Sequence, residues 1–324
     1  MTFEEKDFNN ADEFLKILDP ADLSWDKWIF RGQPNSSFNL LPSLWRDKNI
    51  AAFQKFKNSV PNEPVTKKIQ NQIQQKQYSL NDKEISNIID WCFFLNFENY
   101  ILSTFYEIAN ASGLSIPARC LTLLENHHPE YWKSEMAMPE SSGMLIEGYL
   151  DRRDKNSKQL RFSIGPLFEP SLPQHHGLPT RILDWTTNPR KAIFFAAYYY
   201  KLNKGNCDQI SIYAFLEKFR KNGENPVSIK KNFSRKENLF LHCQDGMFSE
   251  AHGNFYFFQH GTWPTIEDLY QETNGEYFEV KKFNISSDCI EDLFVRLNKC
   301  GISISTLMPD YNHVAEQTVL TLCS

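Results

Sequence analysis

The chain has 324 residues, with 35 Lys and Arg against 40 Asp and Glu, a formal charge of −5. Hydrophobic residues make up 41% and aromatic residues 14%, while Gly and Pro number only 13 and 16. This apolar content excludes low-complexity disorder, the few glycines exclude a collagen-like chain, and the mild acidity argues against a dedicated DNA-coating protein. Length allows one large domain or two of ordinary size. Seven cysteines are present with no C-x-x-C pair, so neither a zinc knuckle nor a redox pair is written locally. Free cysteines fit a reducing compartment. The charged start, Met1 to Asp7, has no apolar signal segment. The longest apolar run, Ala192 to Tyr200, is about half a membrane span. A cytoplasmic protein with no membrane partner is therefore expected.

In chain order, Asn10 is a candidate cap for a short helix through Phe14, Leu15 and Leu18, stopped by Pro20. Trp28-Ile29-Phe30 is a β-prone run that ends in a turn signature, Arg31-Gly32-Gln33-Pro34. Residues 46–160 have helical texture. The polar stretch from Asn62 to Gln77 reads as a loop or a solvated helix. From Asn81 to a stop at Gly113 the apolar residues occupy more than one face, which predicts a buried helix, either continuous or broken once. Strand texture then appears at Gln209–Phe215, Leu239–His242, Asn254–Phe258 and Tyr277–Phe283. A helix capped by Ser287 runs to Gly301, strand-like residues follow from Ile302 to Leu307, and a short helix closes the chain. Between Glu217 and Glu237 the run is rich in Lys and Arg, which fits either a solvated loop or a contact to a phosphate-rich partner. The expected fold class is α+β: one domain over residues 1–324, a mixed or antiparallel central sheet from residues 28–31 and 209–307, and a mostly helical insertion at 47–160.

The most informative stretch runs from Gln174 to Pro189: Q-H-H-G-L-P-T-R-I-L-D-W-T-T-N-P. Asn188 is a good N-cap and Pro189 fits the first helical position, so a buried helix begins there. Two His, a Thr, an Arg and an Asp fall within ten residues just before it. A helix N-terminus carries partial positive charge and free N–H groups, which favour anions such as phosphate. His175 and His176 point in different directions on regular structure and so rarely share one metal, and no metal is expected. His175 suits hydrogen bonding or acid–base work. Arg181 and Asp184 have the spacing of a local salt bridge, and Arg31 can serve either a ligand or a carboxylate such as Asp184.

Trp28 to Gln33, Leu40 to Arg46, Gln174 to Ala196 and Gly253 to Gly261 resemble the FRG domain family, named for its Phe-Arg-Gly motif. Gly301 to Asp310 is similar to that family's closing segment, although Tyr311 to Val314 depart from it. The resemblance implies a bacterial or phage-linked protein, acting in defence or as a toxin. A second resemblance, through Arg31 on a short strand, is to the arginine–serine–glutamate type of ADP-ribosyltransferases, and extends the expectation to their fold. It implies that Arg31 holds the diphosphate of NAD, that Thr186-Thr187 shape the nicotinamide pocket, and that a late glutamate, Glu316 or Glu250, stabilises the ribosyl cation. A guanidinium fork suits a diphosphate, and a carboxylate suits developing oxocarbenium charge.

The first expectation is thus an enzyme acting on NAD or another nucleotide. Its catalytic residues would be Arg31, His175, Thr180, Asp184 and Glu316. Gln33, Gln174, His176, Arg181, Thr186, Thr187, Asn188 and Gln259 would hold the cofactor. Its partners would be a small nucleotide ligand and a macromolecular acceptor or phage protein. The alternatives are a non-catalytic sensor of a nucleotide or phage protein, and a metal-dependent nuclease using His175, Asp184 and Asp310.

Overall fold

The computed structural model describes residues 3–134, 142–155, 164–203, 205–218, 225–230, 235 and 238–322. Most of the basic run at 219–237, and Cys323, lie outside these residues. Seven strands form one mixed sheet among them: β1 (Glu4–Phe8), β2 (Ile29–Gln33), β3 (Ile182–Thr186), β4 (Gln209–Glu217), β5 (Val227–Lys230), β6 (Gly246–Ala251) and β7 (Phe278–Ser286). Their spatial order is β1-β7-β4-β2-β3-β6-β5. Only β1 pairs in parallel, with β7. The other pairings are antiparallel.

One face of the sheet packs on the helices Pro189–Leu202 and Ile290–Lys299 through Phe30, Ile193, Ala196, Ile212 and Leu293. The other buries Ile29, Leu40, Trp185, Phe215 and Phe278. A separate aromatic core, including Phe53, Phe94, Phe257 and the stacked pair Trp45–Trp263, belongs to the helical layer. That layer is tied to the sheet side of the molecule by Arg152 to Glu272 (2.7 Å) and by the Tyr106 hydroxyl donating to the Glu169 carbonyl (2.8 Å). No helix among the described residues is long and apolar enough to cross a membrane.

Several elements differ from expectation, each for a local reason. Leu239–Cys243, Asn254–His260 and Ile304–Leu307 are helices rather than strands. Asn238 caps the first by accepting from the Leu241 N–H (3.1 Å), and Ser303 with Thr306 forms a capping box on the third. The aromatic run 255–258 is buried because its helix packs on the long helix Asp82–Ala111, not because it lies in the sheet. That long helix is unbroken, capped by an Asn81–Glu84 box, and apolar all round because it lies inside the helical layer. Residues Asn62–Gln75 form a helix, one of the two readings the sequence left open. The sheet extends beyond residues 28–31 and 209–307 to β1 and β3, and within 209–307 it takes in β5 and β6, which were not among the segments of strand texture. β1 is a polar edge strand with few apolar residues to mark it; its pairing with β7 is reinforced by Lys281–Glu4 (3.1 Å) and Lys282–Glu5 (2.9 Å).

The Phe-Arg-Gly triplet has a clear division of labour. Phe30 is buried in the core. Gly32 passes so close to the helix Pro189–Leu202 that an added Cβ would lie 2.1 Å from the Ala192 carbonyl oxygen. A side chain there has no room. Arg31, between them, is free to face a cleft.

Candidate functional site

β2 and β3 are neighbours at the centre of the sheet, yet they share a single paired position, Phe30 with Thr186. Beyond it the strands part. The Arg31 guanidinium fills the gap, donating from Nη1 to the Asp184 carbonyl (2.7 Å) and lying 3.6 Å from its carboxylate Oδ2. A cleft of about 780 Å³ opens along this seam. Its lining includes Arg31, Gln33, Gln174, His175, Asp184 and Thr186, which the sequence motifs single out. It also includes Ser43, Arg46, Lys48, Phe195 and Tyr199. The volume suits a small-molecule ligand.

The charges of the cleft do not cancel. Among its described lining residues the charged ones are Arg31, Arg46, Lys48 and Asp184, three cations to one anion, a net +2. His175 adds no charge near neutrality, because burial pulls its pKa below the usual value despite the nearby Asp184. Arg46 comes down to about 10 through burial and the repulsion of Arg31, and so stays protonated. Two guanidiniums close enough to repel each other leave a demand for a further anion.

The Asp184 carboxylate is held with some care. The Thr180 hydroxyl donates to Gln174 Oε1 (2.5 Å), which obliges the Gln174 amide N–H to face Asp184 Oδ2 (2.7 Å). Asp184 Oδ1 is buried and has no partner, and His175 Nε2 lies 3.8 Å from it. Arg31 Nε is likewise buried and unpartnered. The other His175 nitrogen, Nδ1, meets the Asn238 amide, with Nδ2 at 2.7 Å and Oδ1 at 2.9 Å. Thr186 Oγ1 donates to the Gln244 carbonyl (2.7 Å) and accepts from the Asn188 N–H (3.0 Å), joining the strand end to the helix cap.

Other expected site residues lie elsewhere. Arg181 is 2% exposed and sits in a buried ion cluster, with Nε 2.6 Å from Glu98 and Nη1 3.9 Å from Glu250. It makes no pair with Asp184, because three steps along extended chain turn the two to opposite faces. Glu250 is therefore also committed away from the cleft, and pairs with Lys230 (3.0 Å). Glu316 accepts from the Tyr198 hydroxyl (3.1 Å) and is not among the lining residues. Thr180 is fully buried behind Gln174. Asn188 caps the helix by accepting from the Arg190 N–H (3.0 Å). Thr187 faces a second cavity, of about 520 Å³, with Trp28 and Phe215. His176 is exposed against Phe240, and Gln259 is exposed on the helix Asn254–His260. No group of three or more His, Cys, Asp or Glu residues placed to hold a metal ion occurs among the described residues, and Asp310 pairs instead with His313 (2.8 Å).

Residues 124–204 match the family model of the FRG domain. The chain carries an FRG domain. No curated protein and no solved structure gives a significant match. The FRG match contains the Gln174–Pro189 motif and ends just past the helix it caps. Arg31, which closes the cleft opposite that motif, lies outside it. So does Arg46, which sequence reasoning did not place in the site. Its signal was the run Leu40 to Arg46, anchored by the Leu40 N–H donating to the buried Glu267 carboxylate (3.0 Å). Tyr199 was concealed in an apolar run that otherwise reads as core.

Proposed function

We propose that the cleft binds a nucleotide-class ligand and that NAD is its cofactor or substrate. The observation that carries this reading is the convergence of Arg31 and Arg46 on one cleft whose net charge is +2. Phosphate oxygens would meet Arg46 and Lys48, while Phe195 and Tyr199 offer ring faces to a base. Arg31 already spends one donor on Asp184, so it contributes field more than a free fork. In an ADP-ribosyltransferase-like or NAD glycohydrolase-like reaction, the C–N bond to nicotinamide breaks and nicotinamide leaves with the electron pair. Asp184, the one carboxylate among the described lining residues, is then the group beside the developing ribosyl cation, in place of Glu316. The product is completed by water or by a nucleophile of an acceptor.

The carboxylate's engagement with Gln174 and Arg31 favours one further reading, a sensor that binds the nucleotide without turnover. Calorimetry with ADP and NAD, paired with mass spectrometry for released nicotinamide, separates the two. Binding with release, lost in Asp184→Asn, supports the enzyme. Binding without product supports the sensor. Arg46→Ala is expected to weaken ADP binding by tenfold or more. Absence of binding by either nucleotide at millimolar concentration overturns both readings.

A further inference from the structure

We infer that Asp184 Oδ1 and His175 Nε2 form a subsite that reads a hydroxyl group of the ligand, so that the cleft distinguishes a ribose from a deoxyribose. This rests on the nucleotide reading above. The two atoms are 3.8 Å apart, too far for a direct hydrogen bond and close enough for one oxygen to reach both. Their polarities are complementary. Asn238 presents both amide atoms to His175 Nδ1, Nδ2 at 2.7 Å and Oδ1 at 2.9 Å, so that contact alone sets no tautomer. The acceptor Asp184 Oδ1 facing Nε2 favours the tautomer with its proton on Nε2, in which Nδ1 accepts from Asn238 Nδ2. Asp184 Oδ1 is an acceptor with no donor. A hydroxyl is the group that accepts from Nε2–H and donates to Oδ1 at once. A phosphate oxygen has no proton to give and would face a carboxylate, so it is refused there. Oδ1 is buried, so entry requires the Asp184 carboxylate to turn about its broad terminal torsion with the Gln174 amide following it.

Gln174 makes the arrangement selective. Its amide occupies Oδ2, with its own orientation set by Thr180, so Oδ1 alone is left for the ligand. Gln174 and Thr180 are thus positioning residues for the subsite rather than ligand contacts. An unpaired buried acceptor is costly, and a ligand lacking the hydroxyl leaves it unpaired.

The test compares ADP with 2′-deoxy-ADP and 3′-deoxy-ADP by calorimetry on the full chain. One of the deoxy nucleotides is expected to bind about tenfold more weakly than ADP or worse. In His175→Ala that ratio is expected to fall towards one. A readout that needs no variant is the ¹⁵N resonance of His175 Nε2, which should move with ADP and stay in place with the weaker deoxy analogue. Equal affinities for all three nucleotides, or an unmoved His175 resonance, overturn the hydroxyl subsite and leave the nucleotide reading standing. Failure of ADP itself to bind overturns the nucleotide reading and the subsite with it.

Discussion

Two arginines of this molecule do opposite work, and comparing them shows what makes a site. Arg181 and Arg31 each meet a carboxylate near β3. Arg181 is sealed behind the sheet, with Glu98 at 2.5 Å, the Ile164 carbonyl at 2.8 Å and Glu250 at 3.9 Å. Arg31 lies at the parted seam, 3.6 Å from a carboxylate that keeps one oxygen unpaired, and its own Nε is unpaired too. Glu98 also keeps one oxygen unpaired, but that oxygen is sealed away from solvent. The unpaired atoms of Arg31 and Asp184 lie beside an open cleft, where a ligand can relieve them.

The largest expected effect breaks the closed pair. Arg181→Ala strands the Glu98 charge, which is fully buried, and should cost about 3–5 kcal/mol of stability, read as a large fall in Tm or failure to fold. Arg31→Ala removes a charge-assisted hydrogen bond to a carbonyl at a more open position and should cost about 2 kcal/mol, with nucleotide binding lost. If denaturant melts show Arg31→Ala to be the more damaging of the two, the division between structural and functional arginine is wrong. Between them stands Gly32→Ala. Its methyl would meet the Ala192 carbonyl, and the forced separation of strand and helix should cost about 3 kcal/mol and carry Arg31 out of register. An unchanged Tm in that variant would show that the helix yields without consequence.

The comparison also explains what the sequence disclosed. The Asn188-Pro189 helix start was legible because a cap is local chemistry, and the long helix was placed from Asn81 by its apolar run rather than by a cap. The polar density from Gln174 to Asn188 announced a site for the same reason. Its interior strand, β3, was hidden because the alternation Leu183-Asp184-Trp185-Thr186 spans only four residues, the shortest run that signals a strand. Which Arg serves the cleft was also hidden. Arg181 is adjacent to the motif yet points away, while Arg31 reaches Asp184 across 153 positions. Arg46 is held there by Nε and Nη2 donating to the Leu41 carbonyl (3.2 and 3.1 Å), next to the tether of Leu40 to Glu267. The aromatic run 254–258 read as a strand since Phe and Tyr favour sheets, and packing on the long helix overrode that preference.

The smallest effect is in the pH dependence of the closed cluster. Burial alone would raise the Glu250 carboxyl, but Arg181 and Lys230 outweigh it and hold its pKa below the ordinary value. The folded state therefore binds the Glu250 proton less readily than the unfolded chain does. Its contribution to stability is complete above the unfolded pKa of about 4.3 and is lost as pH falls through the lower folded value. Glu250→Gln should thus be less stable than the parent by about 1–2 kcal/mol at pH 7, and the gap should narrow as pH falls below about 4.3. Denaturant melts across that range check the convergence. Nucleotide binding at pH 7 should be unaffected, because Glu250 lies on the sealed side of β3. A variant that keeps its stability but loses the ligand would instead make the two arginine sites one coupled system.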